Sequence, residues 1–311
     1  MSIFDAIIQG IVQGLTEFLP VSSSGHLAIT QHIMGVTEGN LFFNVMLHIG
    51  TLVAVVAFYY KLILRLIKEF VAIIKDVVTK KFSFKNMNND RRMIFMLIVA
   101  LCPLFLLFLP IPFTDMKVKD LADILSGDSK YFIVVGISLL ITSLLLAVGN
   151  ALNNKLTEKE KREGTLGELG AGKKSLTVVD ALVVGLTQVC AALLPGLSRS
   201  GSTLAAGQMR GVNRQTALDF TFVMAIPSIL AAAVLELSDA LSSPDGIGIS
   251  IWVIVAGMIA SAIVGYLSIV LFKWLLKTNK MIVFIAYTAV VGLAVIVVSI
   301  IEMNVGHNLF A

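Results

Sequence analysis

Residues 5–23, DAIIQGIVQGLTEFLPVSS, lie without a gap over residues 180–198, DALVVGLTQVCAALLPGLS. Asp5, Ala6, Gly10, Gln13, Leu19, Pro20 and Ser23 recur as Asp180, Ala181, Gly185, Gln188, Leu194, Pro195 and Ser198. Farther along, Phe43 and Gly50 face Phe220 and Pro227 in a slightly shifted register, and one duplication explains both stretches. Each copy opens with a short apolar helix that Leu-Pro stops, because the residue before a proline is pushed out of helical geometry. A Ser- and Gly-rich stretch follows, too broken for a continuous span. Non-helical backbone at membrane depth is tolerated only inside protein or along a wet cavity, since lipid offers it no hydrogen bonds. The pattern therefore predicts two re-entrant helical hairpins facing one another across a polar pocket.

The rest of the 311-residue chain agrees with a membrane setting. It is 57% hydrophobic and 14% charged, where soluble domains carry about 25% charged residues. Apolar runs near 41–60, 93–113, 131–150, 217–236, 250–272 and 281–301 each approach the roughly 20 residues that cross a bilayer as a helix. The expected fold is an all-α polytopic membrane protein with about six transmembrane helices. It forms one integral domain over 1–311, built from an inverted repeat whose halves cover about 1–110 and 177–301. The start carries Asp5 and Glu17 and lacks a basic leader, so it reads as mature protein. Cys102 and Cys190 sit in apolar stretches without ligand spacing, which argues against a disulfide framework or a zinc site.

The charge of +4 is carried by loops, which argues for membrane orientation and against nucleic acid. Nine Lys or Arg lie between Lys61 and Arg92, six between Lys155 and Lys174, and three between Lys273 and Lys280; 237–250 and 302–311 hold none. Placing the basic segments in the cytoplasm sends the span after the first copy inward and the span after the second outward. The copies then have opposite topology, as in inverted-repeat transporters, whose sites lie where the repeats meet. The loop at 114–130, with Lys117, Lys119 and Lys130, falls outside and fits this orientation least well. The run at 61–82 is amphipathic and either lies on the cytoplasmic surface or prolongs the preceding span.

The candidate chemistry gathers at the two breaks. Gln13 and Glu17 share a helical face, and Ser22, Ser23, Ser24, Gly25 and His26 follow Pro20. An intramembrane carboxylate is functional by default, and an imidazole exchanges protons near neutral pH. His26 beside Glu17 is thus an acid or base candidate. In PGLSRSGST, 195–203, a helix start after the break offers N–H groups to an anion, with Ser198, Ser200, Ser202 and Thr203 as further donors. Arg199 adds a planar fork that matches two phosphate oxygens. In the ungapped register Ala192 and Gly201 stand opposite Glu17 and His26, and Arg199 opposite Ser24. One half would supply proton transfer and the other charge neutralisation, the needs of phosphoryl transfer. His32 and His48 lie along apolar segments and read as packing residues, His307 lies in the tail, and Arg210 and Arg214 read as topology signals.

QGLTEFLPVSSSGH at 13–26 and PGLSRSGST at 195–203 resemble the two motifs of the undecaprenyl-diphosphate phosphatases of the bacitracin-resistance type, and the match spans essentially the whole chain. The resemblance implies hydrolysis of undecaprenyl diphosphate to undecaprenyl phosphate and phosphate, recycling the lipid carrier of peptidoglycan synthesis. It makes Glu17 a catalytic carboxylate and metal ligand, His26 a base or nucleophile, and Ser23 a hydroxyl beside the reacting phosphate. Arg199 would grip the diphosphate with help from Ser198, Ser200 and Thr203, and Gln13, Ser22 and Ser24 complete the substrate-binding set. It also implies a divalent cation, magnesium or calcium, and a plasma-membrane location with the site toward the outer face. Gln13 and Ser24 stand where the family often has Glu and Thr, which weakens any mechanism needing two carboxylates. Partners expected are the prenyl diphosphate and membrane lipid, with a homodimer left open. The rival reading is a flippase for a phosphorylated lipid, using the same pocket for alternating access.

Overall fold

The computed structural model describes residues 1–35, 41–83, 87–127, 132–167, 170–242, 248–278 and 280–309. Asp128 and Lys130 of the 114–130 loop lie outside them. Among the described residues the regular elements are helices, and the only extended pairing is isolated β-bridges. In order the helices are α1 (Ile3–Phe18), α2 (Ser23–Ile33), α3 (Leu41–Val78), α4 (Asn89–Leu101), α5 (Val118–Gly127), α6 (Phe132–Arg162), α7 (Val178–Leu193), α8 (Arg199–Met209), α9 (Arg214–Ser242), α10 (Ile251–Lys277) and α11 (Met281–Val305).

Six helical stretches among them are long and apolar enough to cross a membrane: Phe42–Val78, Asn89–Phe108, Phe132–Arg162, Arg214–Leu235, Ile251–Leu276 and Met281–Val305. They coincide with the six apolar runs, and the chain is an all-α polytopic membrane protein. The second stretch is not α-helical throughout. Pro103 removes an N–H that the ladder needs, and Cys102–Phe108 tightens into a 3-10 turn. The run at 61–82 continues α3 as far as Val78, with a kink at Tyr59.

The repeated stretches form matching units. α1 and α7 are 16 residues each, and α2 and α8 are 11 each. α1 and α7 start with the same capping box, Ser2 with Asp5 and Thr177 with Asp180, in which each side chain satisfies the other residue's orphan N–H. The caps also correct the register. Ser22 caps α2 and Ser198 caps α8, each accepting from the glycine three residues on. Ser198 therefore answers to Ser22 and not Ser23, because the second break is a residue longer: Pro195-Gly196-Leu197 against Pro20-Val21. Arg199 then stands opposite Ser23, and Ser202 opposite His26.

Glycines let the helices close on one another, since apolar burial gives no drive between helices in lipid and close contact must supply it. A Cβ at Gly10 would sit 2.4 Å from the Gly257 carbonyl oxygen, and one at Gly14 2.8 Å from the backbone of α10. On the other half, a Cβ at Gly185 would sit 2.3 Å from the Ala100 oxygen. Phe18 and Tyr59 meet Phe222 edge to face in the core between these helices, and Phe272 packs against Phe222 at an interplanar angle of 48°.

Candidate active site

Glu17 stands in the last turn of α1, buried, and Leu19 turns extended as Pro20 ends the helix. The chain reverses through Ser22, whose φ of 74° is costly for a residue with a Cβ. That turn brings Ser23, first residue of α2, back over the carboxylate: Ser23 Oγ donates to Glu17 Oε2 at 2.6 Å. Gln13 Nε2 donates to the same oxygen from the turn below, at 3.0 Å.

The second break interlocks with the first. Gly196 takes a φ of 89°, and a Cβ there would press on the Val135 oxygen at 2.6 Å, so the position needs glycine. Its N–H lies 3.4 Å from Ser24 Oγ, and Ser200 Oγ donates to the Leu19 carbonyl at 3.1 Å. Gly25 and Gly201 bring the two breaks close: a Cβ would sit 3.1 Å from Gly196 Cα at the first and 3.2 Å from Pro20 Cβ at the second. Arg199, first residue of α8, reaches across and pairs its Nη2 with Glu17 Oε1. A pocket of about 180 Å³ lies between the breaks, lined by Glu17, Ser22, Ser23, Ser24, His48, Ala191, Ala192, Leu197, Ser198, Arg199 and Ser200. The N-termini of α2 and α8 both open onto it, so two helix dipoles and one guanidinium aim positive charge at a space of phosphate size.

Of the residues singled out in the sequence, Glu17, Ser22, Ser23, Ser24, Ser198, Arg199 and Ser200 line this pocket. Gln13 supports Glu17 from behind. Thr203 does not line it: its hydroxyl donates to the Arg199 carbonyl at 2.7 Å and contacts Thr221 at 3.2 Å, holding the start of α8. Ser202 likewise donates to the Ser198 carbonyl. His26 is not beside Glu17, contrary to the expectation from sequence proximity. Its Nδ1 lies 2.8 Å from the Ser22 carbonyl, and its Nε2 is 2.7 Å from the Tyr287 hydroxyl on α11. The imidazole that faces the carboxylate is His48, whose Nε2 is 3.4 Å from Glu17 Oε2. Sequence reasoning missed His48 and Tyr287; the one local signal is that Asn44, His48 and Thr51 share a face of α3.

A divalent cation fits this donor set in part. Gln13 Oε1 is fully buried and without a hydrogen-bond partner, a hard oxygen on the same amide whose Nε2 bonds the carboxylate. No cluster of three or more His, Cys, Asp or Glu able to hold a metal occurs among the described residues. Glu17, Gln13 and the serine hydroxyls suit an ion that arrives with phosphate oxygens rather than one caged by protein alone.

The chain matches the family model described as bacitracin resistance protein BacA over residues 6–294. It is 38% identical over 302 residues to a protein of Alkaliphilus metalliredigens named undecaprenyl-diphosphatase, covering 96% of this chain and 100% of that one. Proteins of the same name from Methanobrevibacter smithii and Bacteroides thetaiotaomicron are 35% and 33% identical, each covering 96% of this chain and 99% of the relative.

Proposed function

The chain belongs to the bacitracin resistance protein BacA family, and from that membership we propose that it hydrolyses undecaprenyl diphosphate with Ser23 as nucleophile and Glu17 as base. The products are undecaprenyl phosphate and inorganic phosphate, so the enzyme returns the lipid carrier to peptidoglycan synthesis and protects against bacitracin.

The observation that carries the mechanism is the bond from Ser23 Oγ to Glu17 Oε2 at 2.6 Å, on a carboxylate whose other oxygen pairs with Arg199. The incoming diphosphate competes for Arg199, whose fork suits phosphate as well as carboxylate. Arg199 and the starts of α2 and α8 hold the terminal phosphoryl group, and Glu17 is released to take the Ser23 proton. Ser23 Oγ then bonds to the terminal phosphorus as the bridging P–O bond breaks, and undecaprenyl phosphate departs with the proton that Glu17 took from Ser23, which leaves the carboxylate ionised again. Water attacks the phosphoserine, giving one proton to Glu17; phosphate leaves and Ser23 regains its hydrogen. His26 serves this sequence through position. By bonding the Ser22 carbonyl, with Tyr287 fixing its ring, it holds the strained turn that aims Ser23.

A magnesium or calcium ion, held by Glu17, the Gln13 carbonyl and substrate oxygens, would neutralise the diphosphate and sharpen the phosphorus as an electrophile. The pocket faces the outer leaflet of the plasma membrane, a placement that rests on the basic segments lying inside. The two helix–break–helix units enter the membrane as re-entrant hairpins of opposite topology. A pure carrier needs Arg199 but has no use for a hydroxyl held on a carboxylate, and the relatives bear a hydrolase name.

Rapid acid quenching of the enzyme with substrate labelled in its terminal phosphate tests the chemistry. Label covalently attached to Ser23 in the wild type, and absent from Ser23→Ala, is expected. Full turnover by Ser23→Ala would overturn the assignment.

A further inference from the structure

The second break is tied to a spanning helix to which the reaction scheme gives no task. Val135, Ser138 and Thr142 share the face of α6 that meets it. A Cβ on Gly196 would press on the Val135 oxygen at 2.6 Å and on Ser138 Cβ at 3.2 Å, so the break rests directly on this helix. Thr142 is fully buried there, and its Oγ1 accepts from the Ser198 N–H at 3.0 Å. The same hydroxyl donates to the Ser138 carbonyl of its own helix, also at 3.0 Å, which leaves its lone pairs for Ser198. The Gly196 carbonyl stands 3.5 Å away as a weaker second acceptor.

Ser198 caps α8 and Arg199 follows it, so the point at which Ser198 is pinned sets where the guanidinium sets out. Leu197 donates to Leu194 within the break, whereas Thr142 joins the break itself to a spanning helix. A buried N–H robbed of its acceptor is costly. Ser198 lines the pocket, so its N–H would turn there to find water and carry the start of α8 with it. We propose that Thr142 is a positioning residue for this reaction: by holding the Ser198 N–H it fixes the start of α8, and so the place from which Arg199 reaches both Glu17 and the terminal phosphate. The inference rests on the assignment of Arg199 to that phosphate. The first break has a matching brace on α11, where Tyr287 holds His26 and His26 bonds the Ser22 carbonyl. Ser143, beside Thr142, donates to the Ile285 carbonyl of α11 at 2.8 Å, so the helices that carry the two braces are bonded to each other.

The test compares Thr142→Val, which keeps the shape and removes the hydroxyl, with Thr142→Ser, which keeps the hydroxyl. Phosphate release from a prenyl diphosphate is measured in detergent, with melting temperatures as a folding control. Ser299→Ala runs beside them, since that buried hydroxyl bonds the Val295 carbonyl of its own helix. Val is expected to lower kcat/KM on the order of 10- to 100-fold, the cost of a small misplacement passed to a catalytic group. Ser recovers most of that loss, and Ser299→Ala stays near wild type. In an Arg199→Lys background the Val change should cost markedly less, because both changes act on one contact. Wild-type kcat/KM in Thr142→Val, equal losses in the Val and Ser variants, an equal loss in Ser299→Ala, or losses that multiply in the double variant would overturn the inference. Should the Val variant not fold, Thr142→Cys, a weaker acceptor, takes its place against Thr142→Ser, and equal turnover overturns the inference. A fully active Thr142→Val beside an impaired Arg199→Lys removes only the role of Thr142, whereas an Arg199→Lys protein with wild-type kinetics removes the reading beneath it.

Discussion

Ser23 and Arg199 occupy equivalent places, each the first residue of the helix after a break. In the proposed reaction one is the hydroxyl that attacks and the other the cation that receives the phosphate, so each break would contribute one half of the chemistry. Arg199→Lys keeps the charge and loses the planar fork; phosphate-release kinetics should show a raised KM and a kcat lower by at least about tenfold, given what one preorganised donor supplies in such sites. His26→Ala should lower kcat without moving KM, and Tyr287→Phe should do the same to a smaller extent, because both act through the turn at Ser22. Equal KM increases in these two would show instead that they bind substrate. Glu17, Ser23 and Arg199 were legible in the sequence, because a carboxylate, a serine run and an arginine at breaks in apolar helices have few structural uses. His48 was not, since its contact with Glu17 closes only when α3 packs beside α1. The pairing of His26 with Glu17 failed for the converse reason: nine positions along the chain, the positive φ at Ser22 turns the imidazole toward α11.

The two helix–break–helix elements hold these residues only while their glycines admit close neighbours. Gly10→Ala, with its methyl 2.4 Å from the Gly257 oxygen, should force α1 from α10 and cost about 1–3 kcal/mol, read as a lower melting temperature in detergent. Gly196→Ala should lose turnover as well, since it strains the break itself. Asp180 offers a test by pH. It lies at the solvent-accessible end of α7, where Lys173 and Arg210 are partly exposed. Burial pushes its carboxyl up, but bonds from Lys173, the Thr177 N–H and hydroxyl, and Arg210 outweigh that and hold it at about 2, against an ordinary 3.8. A depressed folded value adds stability that is complete above the unfolded value and vanishes as pH falls through the folded one. The gap in melting temperature between wild type and Asp180→Asn should stay constant from neutral pH to about 5 and narrow below about 4; a gap independent of pH would refute it. The stops of α1 and α7 were readable from Leu-Pro and the six spans from the apolar runs, whereas the reach of α3 to Val78 was one of two readings of the run at 61–82. The break register was not, because a single added residue at Gly196-Leu197 is invisible until the caps show where each helix starts.

Across the whole molecule, the proposed orientation opens the pocket outward. With Cys102 and Cys190 replaced by alanine, Asp115→Cys should react with an impermeant thiol reagent on intact cells and Thr165→Cys only after permeabilisation; the reverse pattern would turn the pocket inward. Composition and spacing disclosed the six spans because the bilayer imposes a length and a polarity that few other settings demand. They could not disclose how α3, α10 and α11 converge on the breaks, since lipid-facing and core-facing residues of a span are equally apolar. In the proposed reaction the space between the breaks is where a lipid diphosphate loses its terminal phosphate. Phosphate release from undecaprenyl diphosphate by the detergent-purified protein tests it most directly, with magnesium or calcium and with chelator, for wild type, Glu17→Gln and Arg199→Gln. Cation-dependent release by the wild type is expected, with its loss in both variants while their melting temperatures show a folded protein. A folded wild type that binds the lipid and releases no phosphate, or a Glu17→Gln protein that releases it at the wild-type rate, would contradict it.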